Sequence, residues 1–238
     1  MYLYTTVCFV AATFVWLFVP EPTSEERSDR AAERKQGHLA QVLKMPAVWL
    51  QALIIIGAYC VYKGGDFYSQ FARDVWGWSD VHAAGISTLS VWVRPVAAIG
   101  AGLIADRLSS SRVIIACFAL TGLTYISFIL TPPNESMTWL LWGNVLATCT
   151  GMFAFRGIYY ALLEESSIPP DMTGTAVGVV SFIGYTPEIF MPYLGGRLID
   201  HWDGGLTGYQ FLFGFLCIVS VIGILATLML RRTNRRRS

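Results

Sequence analysis

Of the chain's 238 residues, 54% are hydrophobic and 14% charged, and the formal net charge is +1. Mean hydropathy is +0.51. Soluble domains carry roughly 25% charged residues, so a water-soluble core could not hide this much apolar surface, whereas a bilayer can. An ordinary soluble enzyme is excluded, and no basic surplus points to a nucleic-acid partner. The five cysteines, Cys8, Cys60, Cys117, Cys149 and Cys217, all lie in apolar runs. None forms a C-x-x-C pair or neighbours a histidine, so they read as small packing hydrophobes, and no metal, disulfide or cofactor is expected.

A membrane span needs about 20 mostly apolar residues. Seven stretches fit: Tyr2–Val19, Ala47–Phe71, Val81–Ile104, Val113–Leu130, Met137–Leu163, Thr173–Ile199 and Gly208–Leu230. Turn-forming runs separate them at Gly77-Trp78-Ser79-Asp80, Pro132-Pro133-Asn134-Glu135-Ser136, Ile168-Pro169-Pro170-Asp171 and Asp203-Gly204-Gly205. The first stretch could alternatively be a signal peptide. No positive charge precedes it, however, and no small-x-small cleavage pattern follows Phe18-Val19-Pro20, so it reads as a span.

Between the first two spans, Glu21 to Lys44 holds five acidic and five basic residues and no aromatic one. Such a segment buries little area and is expected to be a solvated, partly helical tether. The resulting organisation is a first transmembrane helix over 1–19, a cytoplasmic charged linker over 20–46, a six-helix bundle over 47–231 and a basic tail over 232–238. Alternating the spans collects Arg27, Arg30, Arg34, Lys35, Lys44, Arg107, Arg112, Arg231, Arg232, Arg235, Arg236 and Arg237 on one side. The opposite loops hold only Arg73, with Arg197 near a helix end. The positive-inside rule makes the richer side, with the carboxy terminus, cytoplasmic.

After the third span comes Gly102-Leu103-Ile104-Ala105-Asp106-Arg107-Leu108-Ser109-Ser110-Ser111-Arg112. This run resembles the G-x-L-A-D-R-x-G-R loop signature of the major facilitator superfamily. Gly102 would let two helices approach closely, Asp106 would cap a helix or meet an arginine, and Arg107 and Arg112 would hold the loop inside. Ser109 and Ser110 stand where the family usually has glycine and arginine. The run Pro187-Glu188-Ile189-Phe190-Met191-Pro192-Tyr193-Leu194-Gly195-Gly196 resembles the proline and glycine pattern of the family's eleventh helix. Phe155-Arg156-Gly157-Ile158-Tyr159-Tyr160-Ala161-Leu162-Leu163-Glu164-Glu165 loosely resembles a tenth helix of bacterial organic-anion or sugar-phosphate-type members.

The resemblance implies an all-α integral membrane fold of seven transmembrane helices, equivalent to helices six to twelve. The last six would form one half of the transporter fold, built from inverted three-helix repeats. Helices one to five are then missing. The chain would be a truncated piece, or would assemble with an amino-terminal half. Within the sequence, Gly102-x-x-x-Asp106 recurs as Gly196-x-x-x-Asp200, an offset that sets Arg94 against Glu188.

Ionisable groups inside a bilayer cost at least about 2.5–3.5 kcal/mol on insertion scales and so usually face a cavity. Lys63, Arg94, Arg156 and Glu188 are such groups. Arg94 and Arg156 fall well inside their spans and, as guanidiniums, suit a carboxylate or phosphate. They are substrate-binding candidates; the alternative is a structural arginine bonded to backbone carbonyls or to Glu188. Lys63 can line the cavity or pair with Asp66 at i+3, and Lys63-Gly64-Gly65-Asp66 suggests a broken helix. Glu188 sits between two prolines. A carboxylate removed from water holds its proton to higher pH, which makes Glu188 the proton-coupling candidate; the alternative is a static counter-ion for an arginine. Among the aromatic residues, Tyr62 and Tyr159 are the substrate-stacking candidates.

The leading function is secondary active transport of a small anionic organic solute across the inner (plasma) membrane by alternating access. A seven-span receptor or sensor is the alternative, although it leaves the loop signature unexplained. A membrane enzyme is disfavoured, since the sequence has no paired-histidine motif, no G-x-S-x-G elbow and no clustered carboxylates within a span. The expected partners are the solute, the lipid bilayer and an amino-terminal half, without which the chain is expected not to sustain flux.

Overall fold

In the computed structural model, residues 2–18, 38–131, 133–164, 166 and 168–235 are described. Arg27, Arg30, Arg34, Lys35, Arg236 and Arg237 lie outside them. Two units separate, Met1–His38 and the remainder from Leu39 onward. The first contributes helix α1 (Tyr2–Phe18). The second begins with α2 (His38–Leu43) and α3 (Pro46–Gly64), then a 3-10 turn over Gly65–Phe67 and α4 (Tyr68–Asp74). α5 (Asp80–Leu108), α6 (Ser110–Leu130), α7 (Thr138–Ile158) and the short α8 (Ala161–Glu164) follow. The unit closes with α9 (Thr173–Gly184), α10 (Pro187–Asp200) and α11 (Leu206–Arg235). No strand occurs among the described residues.

Local chemistry explains several of these boundaries. Pro46 and Pro187 occupy first-turn positions of α3 and α10, where the missing N–H costs nothing. Ser79 caps α5, its side chain accepting from the His82 N–H at 3.3 Å. The Lys63-Gly64-Gly65-Asp66 run, expected to loosen its helix, coincides with the 3-10 turn. The sixth apolar stretch is divided at Tyr185-Thr186, just before Pro187, whereas Pro192 lies inside α10 without ending it.

Four helical stretches among the described residues are long and apolar enough to cross a membrane: Pro46–Asp74, Asp80–Leu108, Ser110–Leu130 and Leu206–Thr233. α7 has comparable length but carries Asn144, Thr148, Thr150 and Arg156. At the described end of the charged stretch, α2 buries Val42 completely while Gln41, Leu43 and Lys44 stay exposed.

The bundle is held by aromatic side chains set into glycine notches. Phe118 of α6 packs closely against Gly57 of α3 and more tightly against Gly223 of α11, where a methyl group would collide with its ring. Small residues of this kind let membrane helices gain dispersion contact without a hydrophobic driving force. Polar pairs tie α6 to α7: Thr148 donates to Thr124 at 2.9 Å and Asn144 to Ser127 at 2.8 Å. Further along, Tyr68, Phe71, Phe128, Tyr209 and Phe213 form a ring cluster, and the Tyr209 hydroxyl donates to Asp74 at 2.8 Å.

The signature run departs from its expected loop form. α5 continues to Leu108 and α6 starts at Ser110, so the connection is Ser109 alone. Asp106 and Arg107 therefore sit in the last turn of α5 and Arg112 in the first turn of α6. Gly102 does not bring helices together, since a Cβ built there meets nothing within 4 Å. Among the described residues Asp106 has no cap or ion-pair partner.

Ser109 takes φ 113° and ψ 139°, backbone that a Cβ strongly disfavours. This is the position where the family signature has glycine. The Ser109 side chain makes no cap bond. Replacing it with glycine should therefore relieve strain without losing a cap hydrogen bond. We expect Ser109→Gly to stabilise by about 1 kcal/mol, the strain relief less glycine's chain entropy. A rise in thermal midpoint of the detergent-purified protein checks this, and an unchanged or lower midpoint refutes it.

Candidate functional site

The ionisable residues singled out in the sequence fall into two linked groups on α3, α5, α7 and α10. On α5, Arg94 precedes Pro95, whose missing N–H leaves the Val91 carbonyl without its helical donor. The Arg94 guanidinium lies over the Phe153 ring, 4.9 Å from its centroid. Phe153 makes an edge contact with Tyr62 of α3 at 6.2 Å. Arg156 lies over the other side of this aromatic row, 4.6 Å from the centroid of Tyr62 and 5.7 Å from that of Tyr59. It occupies the last turn of α7, where the carbonyl end of the helix dipole favours a cation.

Both arginines are exposed. Among the described residues, neither has a carboxylate within 4.0 Å. Their attachment is cation–π, not the carbonyl or Glu188 bonding that was the alternative. A guanidinium on a ring face keeps its N–H edge free for a planar anion.

The second group centres on Lys63. Its ammonium bonds Asp66 in the 3-10 turn that follows α3 and reaches Glu188 of α10 at 3.2 Å. The Lys63 side chain is 13% exposed, against 54% for Glu188. Glu188 is therefore the counter-ion of a lysine, not of an arginine. Tyr59 and Lys63, at i and i+4, share one face of α3. Among the described residues these three cations have two carboxylates between them, and Lys63 holds both, which leaves the two guanidiniums without a described counter-ion.

Tyr159 takes a different position from the one expected. It is buried in the turn after α7. Its carbonyl accepts from the Gln51 amide at 2.7 Å, and its hydroxyl lies 3.2 Å from that of Tyr185. Tyr185 continues the row, 4.9 Å from Tyr59 by ring centroids and 2.6 Å from the Tyr160 hydroxyl, which meets Ser181 at 2.7 Å. Tyr59, Tyr160 and Tyr185 are among the span aromatics able to stack but stand behind Tyr62 and Tyr159 in the sequence, and Phe153 and Ser181 are not singled out there at all. Spacing along α3 marks Tyr59, four residues before Lys63, whereas Phe153 meets Arg94 across helices and carries no linear signal. Gly102, Asp106, Arg107 and Arg112 lie outside this site.

The sequence pattern of the Major Facilitator Superfamily matches residues 1–188. The chain belongs to this superfamily. It is 25% identical over 236 residues to the inner membrane protein YihN of Escherichia coli K12, covering 91% of this chain and 52% of that protein. It is 25% identical over 216 residues to the inner membrane protein YqcE of the same organism, covering 87% and 49%. With the "Probable nitrate/nitrite transporter NarK2" of Mycobacterium tuberculosis H37Rv it shares 24% identity over 180 residues, covering 71% and 42%. The chain thus spans about half the length of the curated relatives it matches.

Proposed function

We propose that this chain supplies the carboxy-terminal half of a secondary transporter that moves a small anionic organic solute across the inner membrane by alternating access. The observation that carries this reading is the pair of exposed guanidiniums, Arg94 and Arg156, each seated on an aromatic ring and free of any described carboxylate. In a bilayer such groups need a reason to persist, and an anion that binds and leaves is one. Superfamily membership favours transport over a receptor or an enzyme. The name of one relative specifies nitrate and nitrite, which are anions, and two others are named inner membrane proteins.

On this reading, all seven apolar stretches span the membrane. The last six form the half-bundle with its inverted repeats, the carboxy terminus is cytoplasmic, and an amino-terminal half completes the pathway. Calorimetric titration of the purified chain tests the anion assignment. Small carboxylates and phosphate esters should bind while their uncharged isosteres do not, and equal binding of the isosteres overturns it. Flux in liposomes containing the 238-residue chain alone would overturn the need for a second half.

Glu188 is assigned to proton coupling. Protonating it releases Lys63 from one of its two carboxylates, so proton and anion binding are linked through the lysine. Glu188→Gln should then abolish proton-driven uptake by the assembled transporter while anion exchange continues. Uptake that still follows a pH gradient in this variant assigns Glu188 to a static ion pair instead.

A further inference from the structure

A groove of about 560 Å³ runs between α5 and α6, with α7 as its floor. It is separate from the arginine–tyrosine face, for none of Arg94, Arg156, Tyr62 or Phe153 lines it. Its walls are apolar, including Trp92, Val96, Ile104, Leu120 and Leu146. The Thr150 hydroxyl in its floor already donates to the Leu146 carbonyl at 2.8 Å. A polar solute would find little to bind along this length.

One end is chemically different. Arg112, in the first turn of α6, is the only charged side chain in the lining. It is exposed, and no carboxylate lies within 4.0 Å of it among the described residues. Along α5 the lining runs from Trp92 to Leu108, about 24 Å at 1.5 Å per residue. One leaflet, half of a bilayer some 40–45 Å thick with its headgroups, measures roughly 20–22 Å. An apolar channel one leaflet long with a single cation at its membrane-surface end has the dimensions and polarity of a phospholipid.

We propose that this groove is a binding site for one anionic phospholipid, with an acyl chain lying along α5 and the phosphate on the Arg112 guanidinium. A guanidinium can hold two phosphate oxygens through parallel hydrogen bonds. The anionic class follows from charge: a zwitterionic headgroup brings its own cation to the phosphate, whereas an anionic one leaves Arg112 as the partner. The proposal needs α5 and α6 to cross the bilayer and does not depend on the transport reading.

Native mass spectrometry of the detergent-purified chain tests it, using phosphatidylglycerol and phosphatidylcholine with identical acyl chains. One phosphatidylglycerol should stay bound at about fivefold lower lipid concentration than phosphatidylcholine. That ratio corresponds to the ~1 kcal/mol a basic residue gains beside anionic lipid. Arg112→Ala should erase the preference and Arg112→Lys should keep most of it, while Arg107→Ala, outside the lining, should leave it intact. Ala154→Trp, which fills the floor, should remove both lipids without changing the thermal midpoint by more than a few degrees. Should that variant unfold, the Arg112 series still decides. Equal binding of the two lipids by the unaltered chain, or a preference surviving Arg112→Ala, overturns the proposal. A dimer that appears as lipid is removed assigns the groove to a second copy and also overturns it.

Discussion

Arg156→Ala should cost the chain at least about 30-fold in affinity for its anion, and Arg156→Lys should restore little of it. A hydrogen bond to a charged group contributes about 1.5–3 kcal/mol, and a guanidinium can offer a planar anion two of them. Arg156 qualifies because its guanidinium is positioned by two rings, Tyr62 at 4.6 Å and Tyr59 at 5.7 Å, and is not neutralised by a described carboxylate. Lysine lacks the planar fork and stacks poorly, so charge alone does not replace it. Arg94→Ala should have a smaller effect, since that residue rests on Phe153 alone. Tyr62→Phe should bind nearly as well as the unaltered chain, because the ring and not the hydroxyl holds Arg156. Tyr62→Ala should lose about 0.5–2 kcal/mol through the missing cation–π contact. Calorimetric titration of the five variants checks the series. Full affinity in Arg156→Ala would remove that residue from the site.

Much of this arrangement is readable in the sequence because membrane insertion penalises charge so heavily. Lys63, Arg94, Arg156 and Glu188 stand out against apolar runs, and each contributes its charge to the site from α3, α5, α7 or α10. Their pairing was not readable. Glu188 is 125 residues from Lys63, and a carboxylate near three cations gives no linear signal for which one it meets. The aromatic partners were hidden for a related reason. In a chain with 33 Phe, Trp and Tyr residues, Phe153 differs from a packing ring only by lying beneath Arg94. The expectation for Gly102 failed on the same ground: a glycine in a known signature looks like a helix contact, yet its partner helix is a tertiary fact. The close contact in that region is made by Gly157, which nothing along the chain marks out from the other helical glycines. Span counting is subject to a different limit. Tyr185-Thr186 divides the sixth apolar stretch into two helices, and hydropathy averages over such a break.

Gly157→Ala should both destabilise the bundle and weaken anion binding. A Cβ at Gly157 would lie 2.9 Å from the Ala98 carbonyl oxygen and 3.2 Å from its Cα. These are backbone atoms of α5, so no side-chain rotation can relieve the collision and the two helices must separate. Overpacking of this kind costs about 1–3 kcal/mol, and a valine would cost more. The functional consequence follows from position. Gly157 adjoins Arg156 on α7, and Ala98 lies one turn beyond Arg94 on α5. The close approach of Gly157 to the Ala98 backbone therefore fixes the spacing of the two guanidiniums across Phe153 and Tyr62. Widening it should lower the thermal midpoint and reduce affinity together, even though neither arginine is altered. A second substitution separates this cause from a side-chain clash. Ala98→Gly removes only the Ala98 methyl group, which is not among the atoms Gly157 meets most closely, so it should not rescue Gly157→Ala. Recovery of both stability and binding in the double variant would show that the helices are held apart by side chains and that the backbone contact does not set the site.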